Sequence, residues 1–247
     1  MPAINGPALL DINTQKDLFR PDGSYALHLG VTFPKAIARL FSWLADVHYP
    51  IISTRLHTVA QLDPAHRNPV CAPGTPGYDK LPCTILRNHL ELPTDCGTDL
   101  PVEGFNSAQQ YIFDLPDANP FDSPRLDRLL SETEAGLWIV VGGPLESSLR
   151  MAVLGLLQRR QKVAIVKECV GQKDTYEGEM TLLQLESKNI DWLTVEQTIE
   201  RFTPKLRIVR SGVVARSRRQ RRMKVLPPYR SGSRPNANSP RFRISGA

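Results

Sequence analysis

The sequence predicts an α/β domain of three layers, α/β/α, built on a mainly parallel, doubly wound, six-stranded sheet. Three observations carry that expectation. Short apolar runs alternate along the chain with segments whose apolar residues recur at helical spacing. The runs Leu137–Val141 and Val163–Val166 are continuously apolar, as strands covered on both faces are. Between them stand a Gly142-Gly143-Pro144 turn and a segment with Leu149, Val153, Leu156 and Leu157 on one helical face, closed by Arg159, Arg160 and Lys162. Strand, turn, helix and strand in that order form one right-handed crossover unit.

The other elements follow in chain order. Ala8–Ile12 is a short apolar run and the first expected strand. Pro34–Asp46 places Ile37, Leu40, Phe41 and Leu44 on one helical face, and Tyr49–Ser53 is the second strand. His57–Leu100 is rich in Pro, Gly, Thr and Asp, and loops of that length are usually functional or carry short elements of their own. Ala108–Asp114 is the third strand. Asp122–Thr133 is a helix with Ser123 at its N-cap and Pro124 in its first turn. After the Leu137–Val166 unit come a helical stretch Met180–Ser187, a strand Ile190–Thr194 and a helix Val195–Phe202.

Charge divides the chain. Its net +6 averages residues 1–200, which hold 17 basic and all 25 acidic residues, and Arg201–Ala247, which holds 14 basic and no acidic ones. The expectation is one domain over residues 1–205 and a basic, Pro/Ser/Arg-rich, disordered tail over 206–247. The cluster Arg216–Lys224 suits nonspecific attraction to polyanions, and nothing near it suggests base readout. No apolar run approaches the roughly 20 residues of a membrane span, and the start has no signal-peptide pattern, so a cytoplasmic location is expected. The cysteines Cys71, Cys83, Cys96 and Cys169 lack metal-binding spacing.

Four segments in order resemble the isochorismatase-like cysteine hydrolases, which include nicotinamidases and N-carbamoyl amidohydrolases. Asp11–Phe19 with Pro21-Asp22-Gly23 is similar to the opening Asp-x-Gln-x-x-Phe motif. Pro69–Gly77 resembles a Pro-x-His-Cys-x-x-Gly-Thr-x-Gly loop, and Tyr111–Phe121 the strand and turn that deliver a lysine. Gly142–Gly171 resembles the nucleophile segment, Gly-x-x-Thr-x-x-Cys and the following helix. The resemblance implies a thiolate at a helix N-terminus attacking a carbonyl, an aspartate that handles its proton and a lysine that helps activate both. It also implies backbone donors near Gly143, Pro144 and Ser147 for the oxyanion, a cis peptide in that turn, a pocket touching Phe19, Val70 and Cys71, a small-molecule ligand and a homo-oligomer.

At the family's triad positions this chain carries Asn13, Leu115 and Ser148. The loop histidine is Val70, and the Asp-x-His metal motif of some members is Arg55-Leu56-His57, so neither a metal nor another cofactor is expected, with His57 and His66 taken as loop residues. A serine hydroxyl needs a general base. Asn13 cannot accept a proton at neutral pH and Leu115 cannot transfer one. The favoured expectation is therefore a catalytically degenerate member with a ligand-binding or interaction role. The alternative is a hydrolase of amide, imide or vinyl-ether-like bonds run by Ser148 with Asp11, two residues before Asn13, as substitute base.

Overall fold

A computed structural model describes residues 4–57, 70–93, 97–100 and 107–204. The expected tail lies outside the described residues, as does His66. The first element is a strand β1 (Ile4–Ile12), followed by a short helix α1 (Lys16–Phe19), a strand β2 (His28–Leu29) and a long helix α2 (Phe33–Val47). Strands β3 (Ile51–Leu56), β4 (His89–Leu92) and β5 (Gln110–Leu115) come next, then helix α3 (Pro124–Glu132) and strand β6 (Ala135–Gly142). Helix α4 (Arg150–Gln158), strand β7 (Val163–Gln172), helix α5 (Thr175–Glu186), strand β8 (Asp191–Leu193) and helix α6 (Val195–Phe202) complete the domain.

The strands form one sheet in the order β2-β7-β6-β1-β3-β5-β4, with β8 also paired to β7. Every pairing is parallel except β2 with β7. Alternation along β1 divides the core: Ala8, Leu10 and Ile12 face a layer containing Leu126, Leu129 and Leu130 of α3 and Ala152, Val153 and Leu156 of α4. Leu9 faces the other layer, where Ile37, Leu40, Phe41 and Leu44 of α2 pack with Val195 of α6. This is the three-layer doubly wound architecture that the alternating pattern predicts. Ser123 caps α3 by accepting from the Leu126 amide at 3.5 Å.

The sheet has eight strands instead of the six expected. The extra two are β2 and β4, with two and four residues, too short for a two-residue period to stand out. Helix α5 starts at Thr175, well before Met180, because Asp174 accepts from the Glu177 amide at 2.8 Å and so caps a polar first turn. Strand β7 runs on beyond Val166 to Gln172, and it bulges. Val140 pairs with Ile165 and Gly142 with Val170, so two steps on β6 face five on β7.

Candidate active site

The crossover between β6 and α4 brings the Gly142–Ser148 segment against the end of β1. Gly142 pairs with Ile12 and has φ +104°, and a Cβ there would lie 1.9 Å from the Ile12 carbonyl oxygen. Only glycine fits. The next peptide, Gly143-Pro144, is cis, and the Gly143 amide donates to the Ile12 carbonyl at 2.9 Å. That amide already holds a backbone acceptor. Leu145–Leu149 is a wide turn in which the Leu149 amide donates to the Pro144 carbonyl at 3.0 Å, a five-residue closure that delays the regular helix until Arg150. Glu146 anchors the turn by accepting from the amides of Lys173 at 2.6 Å and Asp174 at 3.0 Å. Ser147 sits half-buried in this turn, and Ser148 is buried.

The Ser148 hydroxyl has no hydrogen-bond partner among the described residues. Asn13, just past β1, is fully buried with φ +48°. Its backbone amide donates to Thr54 Oγ1 at 3.1 Å, and its Oδ1 accepts from the same hydroxyl at 2.6 Å. Its Nδ2 has no partner among the described residues. Leu115 ends β5 beside Leu56 and is buried in the same apolar layer as Leu145 and Leu149. The three positions thus carry an amide, an aliphatic chain and a hydroxyl, and no ionisable group hydrogen-bonds to any of their side chains.

Asp11 belongs to a different constellation. By alternation it faces the α2 layer with Leu9, while Leu145 and Leu149, which flank Ser148, pack in the opposite layer. Its Oδ2 accepts from Lys80 Nζ at 2.9 Å and from Ser53 Oγ at 2.8 Å. Lys80 also donates to the Thr54 carbonyl at 2.9 Å. Gln110 Nε2 continues the network to Ser53 Oγ and the Thr84 carbonyl, each at 2.8 Å, and Gln110 Oε1 accepts from the Leu86 amide at 2.7 Å. Asp11, Ser53 and Gln110 are fully buried and Lys80 is 1% exposed. Burial pulls the Lys80 ammonium below its ordinary range, and the adjoining Asp11 carboxylate opposes that shift. Asp11 is therefore an ion-pair partner, with no bond to Ser148.

This network brings an aspartate, a lysine and the Cys83 thiol into one neighbourhood. Although Cys83 is exposed, partial desolvation first, opposed by a backbone hydrogen bond and reinforced by the Asp11 charge, pushes that thiol up from 9.0. Burial, followed by the charge of Asp17, also raises Cys71; burial, followed by that of Glu168, raises Cys169. A nucleophilic cysteine requires the opposite shift.

Among the expected pocket residues, Phe19 is buried and stacked on Phe33 with ring centroids 5.1 Å apart, and Val70 and Cys71 are buried in the α2 layer. Asp17 ties this loop down, accepting from the Cys71 amide at 2.7 Å and the Ser24 amide at 3.2 Å. Arg55, at the position where the resemblance implies an acidic metal ligand, pairs with Asp114 at 2.6 Å and Glu91 at 3.0 Å and lies 4.5 Å from the Tyr78 ring centroid. The ring of His57 meets Tyr78 edge-on. Among the described residues, no group of three or more His, Cys, Asp or Glu is placed to hold a metal ion.

Lys80 is the residue that sequence reasoning missed. It sits in a Pro- and Gly-rich loop with no periodicity, and only its long-range pairing with Asp11 gives it a role. Gln15, part of the opening motif, has a structural role that its spacing did not show: its side chain donates to the carbonyls of Leu56 and Tyr78, each at 2.9 Å, and thereby fastens the same loop to β3.

No family model and no curated protein sequence matches the chain. Its structure is similar to that of an isochorismatase-like hydrolase from Alkaliphilus metalliredigens, at 18% identity and a TM-score of 0.61, over 79% of this chain and 97% of that one. A Pyrococcus horikoshii pyrazinamidase solved in complex with zinc aligns at 18% identity and a TM-score of 0.54, over 76% of this chain and 98% of that one. The Escherichia coli YcaC product, described as an octameric hydrolase of unknown specificity, aligns at 15% identity and a TM-score of 0.55, over 78% of this chain and 77% of that one. These likenesses and the strand order agree: the chain has the fold of the isochorismatase-like hydrolases.

Proposed function

We propose that this chain uses the isochorismatase-like scaffold without its thiol-hydrolase reaction and acts by binding a neutral, carbonyl-bearing small molecule at Asn13 and Ser148. The observation that carries this reading is the pair of buried polar groups, Asn13 Nδ2 and Ser148 Oγ, which have no partners among the described residues and stand at two of the positions matched to the family's triad. Buried polar groups are nearly always paired, and a lone one costs roughly 1–3 kcal/mol, so two at one strand end point to a site. Both groups can donate to a carbonyl oxygen. With Leu115 at the third position, no cation favours an anionic ligand. Both groups are closed to solvent in this conformation, so binding includes a local opening.

The absence of a base at Ser148 supports loss of the reaction. Asp11 bonds Lys80 and Ser53 through Oδ2 and faces the layer opposite the residues that flank Ser148, and the Gly143 amide is held by the Ile12 carbonyl, so Ser148 has no bonded proton acceptor and that oxyanion donor is taken. The octameric state of the YcaC product favours a homo-oligomer here too, and no helix among the described residues is long and apolar enough to cross a membrane. A cytoplasmic location and a salt-sensitive attraction of the basic tail to polyanions complete the proposal.

Turnover and binding test it together. Purified full-length protein should show no turnover of nicotinamide, isochorismate or N-carbamoyl compounds, while nicotinamide, as a neutral carboxamide, should raise the melting temperature of the wild type and have a weaker effect on Asn13→Ala. Turnover abolished by Ser148→Ala would establish serine catalysis and overturn the proposal. A nicotinamide effect unchanged in both Asn13→Ala and Ser148→Ala would place binding elsewhere.

A further inference from the structure

A second cavity opens at the edge of β7. Strand β8 pairs with Ala164–Val166 and β2 with Gly171 and Gln172, so neither covers Lys167–Val170 between them. The interrupted edge, α5 and the Leu145 side chain enclose a cavity of about 480 Å³, within the range of small-molecule sites. Leu145, Val170, Leu182 and Trp192 give it apolar walls, while Lys167 and Glu186 bring charges of opposite sign to it. The two charged residues are both exposed; they form no ion pair with each other, and neither has a hydrogen-bond or ion-pair partner among the described residues. By contrast, Arg39, Arg55, Arg128, Arg159 and Arg201 are all engaged by carboxylates.

An ammonium and a carboxylate on one partly apolar cavity, not paired with each other, match a compact zwitterion with an apolar body. We infer that this cavity binds a free α-amino acid with a large apolar side chain. Its carboxylate lies toward Lys167, its ammonium toward Glu186, and its side chain among Leu145, Val170, Leu182 and Trp192. Burial of the side chain supplies the non-directional part of the affinity, and the two charges supply the selectivity. The cavity is independent of the Asn13–Ser148 reading and stands if that reading fails.

Calorimetric titration of the full-length protein with L-phenylalanine, and with 3-phenylpropanoate and 2-phenylethylamine, each lacking one of the two charges, tests the inference. L-Phenylalanine should bind, and each single-charge analogue should bind about tenfold more weakly or worse. Lys167→Ala and Glu186→Gln should each weaken L-phenylalanine by about the same factor, with Lys167→Ala leaving 2-phenylethylamine unaffected. Leu182→Trp should fill the cavity and abolish binding. Should that variant misfold by circular dichroism, Gly30→Val reaches the same cavity from β2, since a Cβ at Gly30 meets nothing within 4 Å. No binding of L-phenylalanine at about 10 mM, an affinity below any useful range, would overturn the inference. So would equal binding of all three compounds, or unchanged binding in the folded cavity-filling variant.

Discussion

The two sides of the sheet end differ in what became of their charges. On the α2 side, Asp11, Lys80, Ser53 and Gln110 form a buried network anchored by a 2.9 Å ion pair. By contrast, Asn13 just past β1, Leu115 at the end of β5 and Ser148 in the β6–α4 turn carry no charge, and two of their polar atoms are unpaired among the described residues. A full charge is tolerated in the interior only where a partner and hydrogen bonds compensate its desolvation. The ion pair satisfies that condition and holds the long loop around Lys80 to the central strands. Asn13, Leu115 and Ser148 have no such compensation and are neutral.

Breaking the charged side should give the largest effect. Lys80→Met leaves Asp11 buried without its cation and should lower unfolding free energy by about 3–5 kcal/mol, measured by urea denaturation. Lys80→Met with Asp11→Asn should recover much of that loss; a double variant no better than the single one would show that the lysine acts through packing. Charging the neutral side is the converse experiment. Asn13→Asp keeps the acceptor for Thr54 but buries a carboxylate with no cation, and should cost roughly 1–3 kcal/mol at neutral pH. Adding Leu115→Lys should reduce that cost, and an undiminished cost would mean the two positions do not meet.

Alkaline pH should destabilise the domain through its buried thiols. An unfolded cysteine ionises near 9.0, whereas burial keeps Cys71 and Cys169 protonated in the folded state. Above that pH the unfolded chain binds fewer protons, so stability falls as pH rises. Between pH 8 and 9.5 the loss relative to a Cys71→Ala/Cys169→Ala variant should be about 1–2 kcal/mol. Lys80 has the opposite sign, since its lowered pKa adds stability as pH rises toward 10.5; the paired comparison removes that contribution. The smallest effect belongs to Ser148→Ala. Removing an unpaired hydroxyl should change stability by about 1 kcal/mol or less, in either direction. A loss well above that would reveal a structural bond at Ser148.

Periodicity along the chain was enough to reveal the layered sheet, because buried strands and amphipathic helices write their packing into consecutive residues. The runs at Leu137 and Val163 and the helix over Phe33–Val47 show this most clearly. The short strands β2 and β4 and the bulge in β7 stayed hidden, since each depends on a neighbour distant in sequence. Spacing around Gln15, Phe121 and Gly142 singled out Asn13, Leu115 and Ser148, and their neutral character follows from their identities alone.

By itself, then, the sequence determined the fold class and the neutral side chains of Asn13, Leu115 and Ser148, both being properties of local pattern and side-chain identity. Tertiary structure alone decided what Asp11 does. Two residues from Asn13, it looked available as a base. Strand alternation turns it toward the α2 layer instead, where a lysine 69 positions further along the chain meets it at 2.9 Å. Such a pairing is set by the three-dimensional path of a loop with no internal period, and Ser53 and Thr54 add hydrogen bonds to the buried ion pair, while Asp11 Oδ1 has no partner among the described residues.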